Sequence, residues 1–123
     1  MAAMRQDSNI IQEKSFDFAV RVVKLYRHLT EQKKEYVLSK QLLRSGTSIG
    51  ANVEEAIGGQ TRKDFGTKIN LAYKEARETR YWIRLMKATD YLTESEANSM
   101  LNDCEETLKI LAAITKTIYT KKD

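Results

Sequence analysis

The sequence contains no proline. The commonest interior helix breaker is therefore missing, which leaves the chain free to form long uninterrupted helices. It has a single cysteine, Cys104, so no disulfide can close within the chain and a reducing compartment is expected. Its single histidine, His28, has no glutamate three residues before it. A carboxylate-bridged di-iron bundle needs two Glu-x-x-His pairs, and zinc needs more Cys and His than this, so no metal is expected. The same scarcity gives no positional support for a Cys–His or Ser–His nucleophile, and neither a catalytic site nor a cofactor is expected. No run approaches the ~20 apolar residues of a membrane span, and Met1–Ser8 carries no apolar signal-peptide core. These absences predict a cytoplasmic protein with no membrane segment and no enzymatic activity. No stretch shows the alternation of a half-buried strand, so the chain reads as all-α.

The stretch that organises the chain runs from Gln41 to Ala56. Ser45, Gly46, Thr47, Ser48, Gly50 and Asn52 are all poor helix formers, each glycine costing roughly 1 kcal/mol against alanine. Yet Leu38, Leu42, Ile49, Val53 and Ala56 fall on one helical face. Gly46 and Gly50, one turn apart, would let another backbone come close. Gly46-Thr-Ser-Ile-Gly50 is similar in letters to a phosphate loop, but lacks the Gly-Lys-Ser/Thr ending and sits inside a helical pattern.

At 123 residues the chain is one domain. Amphipathic segments are expected at about 9–30, 35–57, 62–90 and 94–119, with tails at 1–8 and 121–123. Asp7 or Ser8 would cap the first, Thr61 or Asp64 the third, and Thr93-Glu94-Ser95-Glu96 matches a capping box for the fourth. Gly58-Gly59 would end the second in a left-handed conformation. Four such helices on short links imply an antiparallel up-down-up-down bundle of residues 9–120. In that register Arg44 lies level with Glu75 and within a turn of Glu78, and an ion pair is expected there. Ser48, Asn52 and Glu55 join these three in a polar boundary, chiefly a register-fixing device. Its carboxylates Glu55, Glu75 and Glu78 are the only material for an unrecognised catalytic site.

The net charge of +4 is unevenly placed. Residues 61–90 hold eight Lys or Arg against four Asp or Glu, whereas residues 91–120 hold two against five. On the third segment Lys63, Asn70, Tyr73, Lys74, Arg77, Tyr81 and Arg84 fall in one arc opposite the core stripe, with Arg80 and Lys87 between the arc and the core. Cations interleaved with tyrosines suit a phosphate backbone and its bases; the plain alternative is a solvated helix face. A second apolar group, Leu71, Trp82 and Leu85, widens the apolar sector of this segment to about 200°, where a surface helix needs ~100°. A bundle has one core, so this group is expected at the interface of a homo-oligomer.

Leu42-Leu-Arg-Ser-Gly-Thr-Ser-Ile-Gly-Ala-Asn-Val-Glu-Glu-Ala56, then Lys63-Asp-Phe65 and Ala72-Tyr-Lys-Glu-Ala-Arg-Glu-Thr79, resembles the bacterial four-helix bundle family of 23S ribosomal RNA intervening-sequence proteins. The resemblance runs from about Ile10 to Ile118 and rests on Arg44, Ser48, Ile49, Asn52 and Glu55, with Phe65, Ala72 and Glu78 in a second motif. Much of that family has a small Gly-Ser pair where this chain has Lys74-Glu75. The resemblance implies a ring of five subunits and no established enzymatic activity. The chain also looks similar to the accessory proteins of diversity-generating retroelements, which implies a reverse transcriptase as a partner. The leading expectation is a non-catalytic oligomeric accessory protein that binds RNA or DNA through the basic third helix. The alternative is a protein-interaction scaffold that binds no nucleic acid.

Overall fold

A computed structural model describes residues 2–120, with side chains from residue 8 onward. Four helices follow one another: α1 (Ala2–Glu31), α2 (Leu38–Ile57), α3 (Arg62–Ala88) and α4 (Glu94–Thr120). They form an all-α up-down-up-down bundle. Each helix packs on two neighbours, α1 on α2 and α4, α3 on α2 and α4, while the backbones of the diagonal pairs stay apart. One central core results, lined by an apolar stripe from each helix. Ile11, Phe18, Val22 and Leu29 enter from α1, Leu42, Ile49, Val53 and Ala56 from α2. Ile69, Ala72, Ala76, Ile83 and Met86 come from α3, and Ala97, Met100, Cys104, Leu111 and Ile114 from α4.

The helix ends differ from the sequence expectation in three places. α1 begins at Ala2, so Asp7 and Ser8 lie inside the helix and do not cap it. Residues 121–123, expected as a tail, lie outside the described residues. α2 begins at Leu38, three residues later than expected, because Glu35 serves its first turn from outside. One Glu35 carboxylate oxygen accepts from the N–H groups of Val37 and Leu38, each at 3.1 Å, and the other from Ser39 at 2.7 Å. Three orphan donors are satisfied by one buried side chain. Burial pushes the Glu35 carboxyl up, but the N–H bonds from Ser39, Leu38 and Val37 together hold it below its usual range. Finally, α2 ends without a left-handed glycine: Gly58 has φ −80° and its N–H bonds Glu54 O at 3.1 Å, one further helical turn.

The remaining caps follow the sequence. Thr61 Oγ1 accepts from Asp64 N at 3.0 Å. Thr93 and Glu96 close the reciprocal capping box, with Thr93 N donating to Glu96 Oε1 at 2.8 Å and Glu96 N to Thr93 Oγ1 at 3.1 Å.

The small residues of α2 serve its approach to α1. A Cβ on Gly50 would lie 3.3 Å from the Ser15 carbonyl oxygen, and one on Gly46 only 2.8 Å from both γ-carbons of Val22. Toward α3, Ser45 and Thr79 meet through a buried hydroxyl–hydroxyl bond of 2.9 Å. The α1–α4 seam is held by charge. Lys14 donates to Glu106 at 2.6 Å, Arg21 bonds Asp103 and Ser99, and His28 Nε2 stands 3.9 Å from Glu96.

Candidate nucleic-acid interface

α3 is pinned on its α2 side by a polar cluster. Arg44 Nη1 donates to Glu75 Oε2 at 3.1 Å, while its other terminal nitrogen donates to Glu78 Oε2. The guanidinium therefore takes both expected partners at once. Glu78 Oε2 also accepts the indole N–H of Trp82 at 2.9 Å. That indole bond foremost, and Arg44 after it, hold the Glu78 carboxyl below its usual range against the opposing effect of burial. Glu55 belongs to the same seam, paired with Lys68 at 3.1 Å. Ser48 and Asn52 do not cross it. Ser48 Oγ donates to Arg44 O at 2.6 Å and Asn52 Nδ2 to Ser48 O at 2.9 Å, so both serve the carbonyls of their own helix.

The basic arc divides in the structure. Lys74, Arg77, Arg80, Tyr81 and Arg84, together with Glu78, line one open concavity of about 490 Å³. Their spacing of three, three, one and three residues keeps them on adjoining rows of the helix surface. Among the described residues no ion pair or hydrogen bond engages the side chains of Lys74, Arg77, Arg80 or Arg84. The one carboxylate in the concavity, Glu78, is already committed to Arg44 and Trp82. The local field is therefore positive. Tyr81 is 53% exposed within it, its ring edge-on to Trp82 with centroids 5.1 Å apart and planes at 71°.

The other basic-arc residues stand apart. Lys63 is exposed but eleven residues back from Lys74, about 16 Å along the axis. Tyr73 is half-buried against the core, so its ring is no open stacking face. Lys87 is half-buried, donates to Asn98 Oδ1 at 3.0 Å, and with Arg84, Leu101 and Glu105 borders a second hollow toward α4.

The second apolar group is partly covered within the single chain. Trp82 is half-buried: it packs against the edge of its own core and donates its N–H to Glu78. Leu85 is half-buried and Leu71 is 38% exposed. The indole bond went unforeseen, although Glu78 and Trp82 stand at the i, i+4 spacing that brings side chains together.

Cys104 is buried with its Sγ 3.4 Å from Ala76 O, and burial pushes its thiol up to about 12. It stays protonated. Among the described residues no three His, Cys, Asp or Glu side chains converge as metal ligands, and no helix is long and apolar enough to cross a membrane.

The fold and its polar α2–α3 seam define a four-helix bundle with a cationic outer face on its third helix. Residues 7–113 match the family described as 23S rRNA-intervening sequence protein, and the chain belongs to that family. It is also similar, at 50% identity and a TM-score of 0.88, to a crystal structure from Bacteroides thetaiotaomicron VPI-5482. That structure is described as a protein with unknown function from the S23 ribosomal protein family; the match covers 89% of this chain and 98% of the other. No curated protein matches the chain.

Proposed function

We propose that this chain is a non-catalytic, oligomeric accessory protein that binds RNA or DNA electrostatically through the outer face of α3. One observation carries the reading: Lys74, Arg77, Arg80 and Arg84 line a single concavity without ion-pair partners among the described residues, and its only carboxylate is engaged from the α2 side. Elsewhere on the bundle, Lys14, Arg21 and Lys68 are paired with acids. Leaving four cations together with no uncommitted acid in the same concavity sacrifices local neutralisation, and a polyanion restores it by releasing its own counterions. Membership of a family named for an RNA intervening sequence supports nucleic acid over other polyanions. A ring of five, as the family resemblance implies, would repeat the face and add avidity. The protein would act in the cytoplasm, where a lone thiol persists.

The test is titration of mixed-sequence RNA and DNA across a salt series, with the Lys74→Ala/Arg77→Ala/Arg84→Ala triple variant beside the parent. Affinity should fall steeply with salt in the parent, and the triple variant should lose both affinity and salt slope. Absence of binding at low salt would sink the reading. A second reading, a protein-interaction scaffold, is favoured by the outer face of α1. There Phe16 is 64% exposed and Val20 stands one turn on, on the helix diagonal to α3. Capture of a protein partner that is lost in Phe16→Ser, with no nucleic-acid affinity, would replace the first reading by the second.

A further inference from the structure

We infer that the α3 concavity takes single-stranded nucleic acid, with one base stacked on Tyr81 and flanking phosphates on Arg77 and Arg84. This rests on the nucleic-acid reading above and narrows it. Among the described residues Tyr81 is the only aromatic ring lining the concavity, and it sits within the cation row. Arg77 lies one turn before it and Arg84 nearly one turn after it, so the two guanidinium groups leave the helix about 10 Å apart along its axis. That separation, with the reach of two long side chains, brackets one nucleotide and its neighbouring phosphates. Lys74 and Arg80 extend the cation row beside it.

The ring is also held in place. Tyr81 leans edge-on against Trp82, which is fixed by its N–H bond to Glu78 and by packing on the core. The exposed ring thus presents a stacking surface whose ordering has been supplied by Trp82, Glu78 and Arg44 in sequence. A duplex offers no partner for such a face, because its base faces are stacked on one another and only edges reach the grooves. A single strand offers both the phosphate charges and a free π-face. The polar seam that holds α2 on α3 therefore also acts as the support of the binding surface. Arg44, Glu78 and Trp82 are positioning residues that act through Tyr81.

The experiment is fluorescence anisotropy of a labelled mixed-sequence 12-nucleotide strand and of the matching duplex, with the parent, Tyr81→Ala and Tyr81→Phe. The single strand should bind more tightly than the duplex. Tyr81→Ala should weaken it by about 5- to 150-fold, the range for loss of one stacked base, and Tyr81→Phe should stay within about twofold. Trp82 emission, next to the stacked ring, should change on addition of the strand and remain unchanged with inorganic polyphosphate. Tyr81 is exposed, so the alanine variant keeps the core, and an unaltered helical circular dichroism spectrum checks it. Equal affinity for strand and duplex, with Tyr81→Ala harmless and the salt slope intact, would overturn the inference and leave the electrostatic reading standing. No binding of either form at low salt would overturn both.

Discussion

Gly46 offers the clearest trial of how α2 is packed. In an exposed helix, glycine to alanine gains about 1 kcal/mol of propensity. At Gly46 the added Cβ would stand 2.8 Å from both γ-carbons of Val22 and 3.2 Å from its Cβ, all too close. Val22 is fully buried, and a β-branched side chain in a helix has one strongly preferred χ1, so its methyls cannot swing aside. Either α1 moves or the side chain strains, at a cost of roughly 1–3 kcal/mol for overpacking. Gly46→Ala should therefore destabilise by up to about 2 kcal/mol despite its better propensity. Val22→Ala removes the two offending methyls and by itself should cost roughly 2 kcal/mol. In that background both 2.8 Å contacts are gone and only the 3.2 Å approach to the Cβ remains, so the cost of Gly46→Ala should largely vanish. The coupling between the two sites should be about 1–3 kcal/mol. Urea melts of the four proteins at one protein concentration, with the m-value checked for constancy, measure it. Stabilisation by Gly46→Ala in the parent, or strict additivity, would refute the argument.

Glu35→Gln should cost roughly 1–3 kcal/mol near neutral pH, because the charged acceptor of three backbone N–H groups is lost. The native carboxyl titrates below its usual value of 4.5, so its contribution is complete above the unfolded value and is lost as pH falls through the folded one. A gap between parent and Glu35→Gln that does not shrink in melts taken from pH 7 to pH 3 would contradict that assignment. For Arg44, whose side chain is 49% exposed, each ion pair should contribute about 0.2–1 kcal/mol and fade with salt. Arg44→Ala should therefore lose less than about 2 kcal/mol, close to Arg44→Met; a salt-insensitive loss above about 3 kcal/mol would mean a desolvated pair.

The bundle was legible because four core stripes repeat at 3.6 residues and nothing in the chain interrupts them. Ile69, Ala72, Ala76, Thr79, Ile83 and Met86 recur at helical spacing along α3, and all six are buried. The Arg44–Glu75–Glu78 cluster was legible for a related reason, since a short link fixes the register of α2 against α3. What the spacing could not supply was competition between partners. Glu35 looked like the first residue of a helix because nothing local says that a side chain can do better as acceptor for Val37, Leu38 and Ser39 than as part of the turn. Ser48 and Asn52 looked like boundary residues by position, but a short polar side chain finds its own helix carbonyl before it can reach across to another. Trp82 shows the same limit. A helical wheel assigns it a direction but no partner, and the half-buried indole packs against the edge of its own core while it donates to Glu78. That choice fixes the ring beside it. With Glu78 drawn to the α2 side by Arg44 and Trp82, the concavity lined by Lys74, Arg77, Arg80 and Arg84 holds no uncommitted acid, and its positive charge follows from the way the seam is closed.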